Sequence, residues 1–194
     1  MITAGRPNRA ACFQKENAMY IWVGCKLPES FEQEIRSRCL EWNQAIGLDT
    51  VAFSLPQHVS LKISFQSERF DEIVAYLAGF LSVQKPFPLR IQQAEQAGNI
   101  LWMPIAENDV LQQLHTKLDA LLERRFGIGQ HEFDKCFLFH STLFMDPDAG
   151  KIASMQEALA QYPVEREIIV DTFLLGLSET GKAGAYRVIQ QIKV

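Results

Sequence analysis

The sequence predicts an α+β protein built from two similar lobes. Three observations lead there. Short alternating strands and amphipathic helices interleave along the whole chain, in the order β-α-β-α-β-β-α-β-α-β-β. One chemical pattern occurs twice, as His58-Val59-Ser60-Leu61 and as His140-Ser141-Thr142-Leu143. Each copy lies on a strand that is followed by a helix, so the repeat lies in element order and motif, not in residue identity elsewhere.

From the N-terminus, residues 1–18 are mixed and polar and read as a loosely ordered leader without a secretory h-region. Residues 19–194 then form one bilobal unit. Met19 to Cys25 is a short apolar run and reads as a buried strand. Pro28-Glu29-Ser30 opens a helix whose apolar positions are Phe31, Ile35, Leu40, Trp42 and Ile46, and Gly47 ends it. After Pro56 the first motif strand runs from His58 to Phe65. His58, Ser60, Lys62 and Ser64 share one face; Val59, Leu61, Ile63 and Phe65 share the other. Phe70 to Leu81 is an amphipathic helix. Strands follow from Phe87 to about Ala94 and from Ile100 to Ile105, with a turn at Gly98-Asn99.

Asn108 or Asp109 caps a helix that reaches Phe126 and stops at Gly127. The second motif strand spans Phe137 to Met145. Asp146-Pro147-Asp148 ends it and starts a short helix, Lys151 to Leu159. Two long strands close the chain, Val164 to Leu177 and Ala185 to Val194, joined by a turn over Gly181 to Gly184.

The bulk numbers restrict function. A composition of 47% hydrophobic and 22% charged residues is that of an ordinary globular protein. The net charge of −4 argues against a surface built to coat long nucleic acid, DNA included, but leaves room for a nucleotide or RNA end in a local pocket. No stretch reaches the roughly 18 uncharged apolar residues of a membrane span. Cys12, Cys25, Cys39 and Cys136 form no C-x-x-C pair, which reads as free thiols in a cytoplasmic protein. A monomer without cofactor is expected.

The repeated motif carries the chemistry. By composition, two such hits among four histidines are an event on the order of one in a hundred. Two imidazoles can divide the work of general base and general acid near neutral pH. The hydroxyls of Ser60 and Thr142 can donate hydrogen bonds to phosphate oxygens. Strand alternation adds two residues to the substrate side. Lys62 shares the His58 face and brings positive charge to a phosphate, or stands as a solvated rim lysine. Phe144 shares the His140 face and stacks on a base, or packs in the core. No metal set is apparent: His131, Asp134, Cys136 and His140 match no standard zinc spacing. His115, beside the apolar stripe of its helix, reads as structural.

With these residues the chain resembles the two-histidine phosphoesterase superfamily, which includes 2′-5′ RNA ligase-like proteins and cyclic nucleotide phosphodiesterases. Members carry His-x-Thr/Ser-hydrophobic once in each of two lobes. His131-Glu132-Phe133-Asp134, ahead of the second motif, is similar to the bacterial RNA ligase-like branch. Ser60 stands where threonine is commoner and keeps the hydroxyl. The resemblance implies two antiparallel sheets with helices outside, facing across a central cleft. It implies His58 and His140 as acid and base, with Ser60 and Thr142 on the non-bridging oxygens. The implied activity is metal-independent cleavage of 2′,3′-cyclic phosphates or 2′-5′ linkages in nucleotides or RNA ends. RNA 2′-5′ ligation, trimming of RNA 3′ ends and nucleotide binding without turnover are the alternatives the motif leaves open.

Overall fold

The computed structural model describes residues 18–194. Of the expected leader, residues 1–18, all but the last lie outside the described residues, as does Cys12. The strands and helices are β1 (Met19–Lys26), α1 (Glu29–Ile46), β2 (His58–Ser60), β3 (Phe65–Ser67), α2 (Phe70–Ser82), β4 (Phe87–Ile91), β5 (Glu95–Ala97), β6 (Ile100–Pro104), α3 (Asp109–Phe126), β7 (His140–Met145), α4 (Ala149–Ala160), β8 (Arg166–Val170), β9 (Thr172–Ser178) and β10 (Arg187–Lys193). Two 3₁₀ turns, Val51–Ser54 and Glu132–Cys136, precede the two motif strands at matching distances.

The α+β expectation holds, with antiparallel pairing throughout. One sheet has the order β10-β9-β1-β2, with β3 also on β1; a second has the order β5-β6-β7; β4 and β8 form a third pair. The first motif strand therefore belongs to one sheet and the second motif strand to another.

The helices form where the periodicity places them. α1 buries Phe31, Ile35 and Cys39, and Gly47 ends it at φ 73°, a left-handed conformation that a Cβ would strain. In α3 the Asn108 side chain accepts the Leu111 N–H, and Leu111, Leu114, Leu118 and Leu122 are buried.

Three expected strands are broken in the structure. The expected His58–Phe65 strand is two short strands, β2 and β3, which pair with opposite ends of β1. Between them the backbone bends over Leu61–Ser64 because its groups have partners outside the sheet. The Leu61 carbonyl faces His115, and the Ile63 N–H donates to Asp134. The expected Phe87–Ala94 strand stops at Ile91, and pairing resumes with β5. The expected Val164–Leu177 strand divides at Asp171. β8 pairs with β4 and alternates between buried and open faces, whereas β9 lies between β1 and β10 and is covered on both faces.

Candidate active site

His58 and His140 open β2 and β7, and one cavity of about 630 Å³ is lined by both, together with Ser60 and Thr142. The two ends of this cleft are built alike. His58 Nδ1 lies 2.7 Å from the Pro56 carbonyl oxygen, and His140 Nδ1 lies 2.7 Å from the Leu138 carbonyl oxygen. A carbonyl only accepts, so Nδ1 carries the hydrogen in each ring and Nε2 is the nitrogen left for chemistry.

Each ring rests on a tryptophan of the neighbouring strand. His58 meets Trp22 of β1 edge-on at 4.3 Å between centroids, and His140 lies tilted over Trp102 of β6 at 4.2 Å. The sequence reading missed both tryptophans. A signal was present: Ile21-Trp22-Val23 and Leu101-Trp102-Met103 repeat a tryptophan between aliphatic residues on the strands that flank the motifs.

Trp22 Nε1 donates to Ser60 Oγ at 3.1 Å, so the serine O–H stays free to donate into the cleft. Trp102 Nε1 instead donates to Glu95 at 3.1 Å. Behind the rings, Ser141 donates to the Gln57 side chain at 3.0 Å, and both residues are buried. This bond joins the immediate neighbour of one histidine to that of the other and so fixes how the two motif strands sit. The walls include the two 3₁₀ turns and two large apolar side chains left in the open, Phe133 (63% exposed) and Leu138 (68%).

Burial foremost pushes His58 down from 6.5 to about 4; the bond to Pro56 opposes this and the nearby His140 reinforces it. His140 is lowered too, again by burial, against the bond to Leu138. Burial therefore biases both rings toward the neutral form, which leaves a lone pair on each Nε2. An anion placed between them favours protonation, because opposite charge stabilises the imidazolium.

The structure corrects the other two substrate-side expectations. Phe144 is fully buried and packs edge-on against Phe53 at 5.2 Å, so it has no face to offer a base. The reason is a register shift in the β6–β7 pairing: Trp102 faces Thr142, but Leu101 faces Phe144, so Leu143 is an extra residue. The bulge inverts the alternation, and Met145 rather than Phe144 joins His140 and Thr142 on the cavity wall. Lys62 is 2% exposed and is not a rim residue. Although it borders the cavity, its ammonium lies 2.6 Å from Asp119 and 2.6 Å from Asp134 and is neutralised there.

Those two carboxylates and His115 have ligand atoms within 4.8 Å of one another, the arrangement of a small metal site. The cation already seated among them is the Lys62 ammonium, which takes an oxygen of each carboxylate. The cluster is an internal ion pair network and does not reach the two motif histidines.

Residues 27–180 match the 2′-5′ RNA ligase superfamily. Proteins from Geobacillus kaustophilus and Geobacillus thermodenitrificans, each named as a candidate phosphoesterase, are 28% and 26% identical over 138 residues, 68% of this chain and 76% of theirs. Among solved structures, a Thermus thermophilus protein superimposes with a TM-score of 0.61 at 18% identity, covering 90% of this chain and 97% of that one. E. coli LigT, crystallised with ATP, gives 0.59 at 20% identity, covering 91% and 98%. LigT has also been solved with 3′-AMP. Because the match to the family spans residues 27–180, most of the chain, the chain belongs to the 2′-5′ RNA ligase superfamily, among the two-histidine phosphoesterases.

Proposed function

We propose that this protein is a metal-independent phosphodiesterase that opens 2′,3′-cyclic phosphates or cleaves 2′-5′ linkages at nucleotides or RNA ends. The observation that carries the proposal is the matched pair of histidines, each holding Nδ1 on a carbonyl and both lining one cavity that Ser60 and Thr142 also line. The solved LigT complexes with 3′-AMP and ATP support a nucleotide as the occupant.

In the proposed step, one neutral histidine removes a proton from water as its oxygen bonds to phosphorus. The P–O bond to the sugar breaks, and the second histidine, protonated, gives its proton to the leaving oxygen. A phosphomonoester and a free hydroxyl result. Ser60 and Thr142 donate to the non-bridging oxygens, where charge accumulates. The lowered proton affinity of both rings fits a site that is loaded by its substrate: the phosphodiester anion raises the proton affinity of the rings, and one of them takes up a proton from solvent.

The test is hydrolysis of a 2′,3′-cyclic nucleotide in the presence of EDTA. Turnover persists with the chelator and falls by about 10²–10⁴ in His58→Ala and in His140→Ala. Full activity in both variants overturns the proposal. Nucleotide binding without turnover at any pH points instead to a binding module. Product analysis on a short RNA separates hydrolysis from ligation and end trimming.

A further inference from the structure

We propose that His115 is a doubly protonated positioning residue, whose imidazolium balances a buried quartet with Lys62, Asp119 and Asp134 and thereby holds one wall of the cleft. His115 projects from α3 and is 2% exposed. Its Nδ1 lies 2.8 Å from the Leu61 carbonyl oxygen and its Nε2 lies 3.0 Å from the Asp134 carbonyl oxygen. Neither oxygen has a hydrogen to give. A neutral ring has one N–H, so one of the two contacts would set a nitrogen lone pair against an oxygen lone pair. Aromatic rings close around it: Phe137 stacks on it at 4.8 Å and Phe139 meets its edge at 6.0 Å. Two N–H groups satisfy both contacts. His58 and His140 differ in this respect, since each has a single carbonyl partner.

Charge gives a second, independent reason. Lys62 supplies one positive charge to two carboxylates, each nearly sealed from solvent. An uncompensated carboxylate in such surroundings is costly. His115 Nε2 stands 3.5 Å from Asp119 Oδ2, and its second proton brings the quartet to zero net charge. The other polar contacts are donors to the carboxylates and carry no charge. The Gln130 side chain donates to Asp119, and the backbone N–H groups of Ile63 and His131 donate to Asp134.

The quartet ties together three elements: helix α3, the chain just after β2, and the turn Glu132–Cys136. That turn carries Phe133 and Cys136 on the cavity wall. His115 thus acts on the cleft through what it holds, without touching it.

Nitrogen NMR of the full chain at neutral pH tests the proton count. Both ring nitrogens of His115 show N–H shifts, while His58 and His140 each show one bare nitrogen. A bare nitrogen on His115 overturns the proposal. His115→Gln lowers the unfolding midpoint, and adding Asp119→Asn, which restores neutrality, recovers about half of the loss or more. Additive losses in the double variant count against charge balance and overturn it. The expected effect on turnover rests on the phosphodiesterase reading: KM for a cyclic nucleotide rises several-fold in His115→Gln while the pH profile of kcat holds. If no cyclic nucleotide is turned over, that reading falls, and the NMR and unfolding measurements still decide the state of His115.

Discussion

Replacing Lys62 by methionine separates two accounts of the same residue. Strand alternation puts its ammonium beside the substrate phosphate; the structure puts it between Asp119 and Asp134, at 2.6 Å from each. Methionine keeps the stem and removes the charge. Two buried carboxylates then lose the cation that bridges them, and Asp134 loses a bond that helps it stay ionised. Burial works to raise the Asp134 carboxyl, and hydrogen bonds from Lys62, His131 and Ile63 outweigh that and leave it below its ordinary value. Removing one partner of a buried ion pair costs about 3–5 kcal/mol. In a chain of this size each kcal/mol moves the unfolding midpoint by about 2–4 °C, so Lys62→Met is expected to melt roughly 6–20 °C early. Circular dichroism follows the melt, and hydrolysis of a cyclic nucleotide is assayed well below the new midpoint. There, kcat is expected to stay close to that of the parent. An unchanged midpoint with a large rise in KM would refute the reasoning and return the lysine to the phosphate.

Other outcomes follow from the same geometry. His58 prefers its neutral form in the fold, so the unfolded chain takes up a proton that the native ring resists. Stability is lost as the pH falls from about 6.5 to about 4, by up to about 3 kcal/mol, and the loss stops below that window. His58→Asn removes this part of the slope in urea unfolding at stepped pH; an unaltered slope places the proton uptake elsewhere. Phe144→Ala costs about 3–5 kcal/mol of stability and leaves KM alone, while Met145→Ala moves KM with little effect on the melt. The reverse pattern would mean that the bulge at Leu143 is absent. A Cβ at Gly176 would lie 2.6 Å from Trp22 Cε3 and 3.1 Å from the Arg187 carbonyl. Gly176→Ala therefore displaces the indole under His58 and lowers kcat/KM, with a change in tryptophan fluorescence; normal turnover would show that the indole is not needed there.

Local pattern was enough for the helices, for placing the two histidines on separate strands and for the order of most elements. A 3.6-residue apolar stripe, a cap and a terminal glycine are properties of one segment, as in α3 from Asn108 to Gly127. It was not enough where a partner far along the chain decides. The run from Val164 to Leu177 reads as one long strand, and only its pairing shows that it serves two sheets. Lys62 alternates correctly with His58 and Ser60, yet its partners at Asp119 and Asp134 draw it out of the strand. The bulge at Leu143 is invisible for a similar reason: His140 to Met145 reads as a regular strand until β6 is laid beside it. Trp22 and Trp102 were legible as a repeat once the sequence was read for the strands next to the motifs.

The two halves also grip each other, and this bears on how the histidines work. The chain just after β2 holds the turn before β7, through Lys62 and Ile63 on Asp134. At the end of β7, Asp146 accepts the N–H of Asp49, two residues before the turn that leads to β2. Each motif strand thus anchors the cavity wall that precedes the other motif strand, and the Gln57–Ser141 bond joins the two strands directly. A disturbance at one histidine's strand is transmitted to the wall beside the other, so the halves cannot be tuned one at a time. Reciprocal anchoring suits the proposed reaction, in which proton removal and proton donation act on one phosphorus atom, since the spacing of the two Nε2 atoms across that atom would decide whether both transfers are in reach.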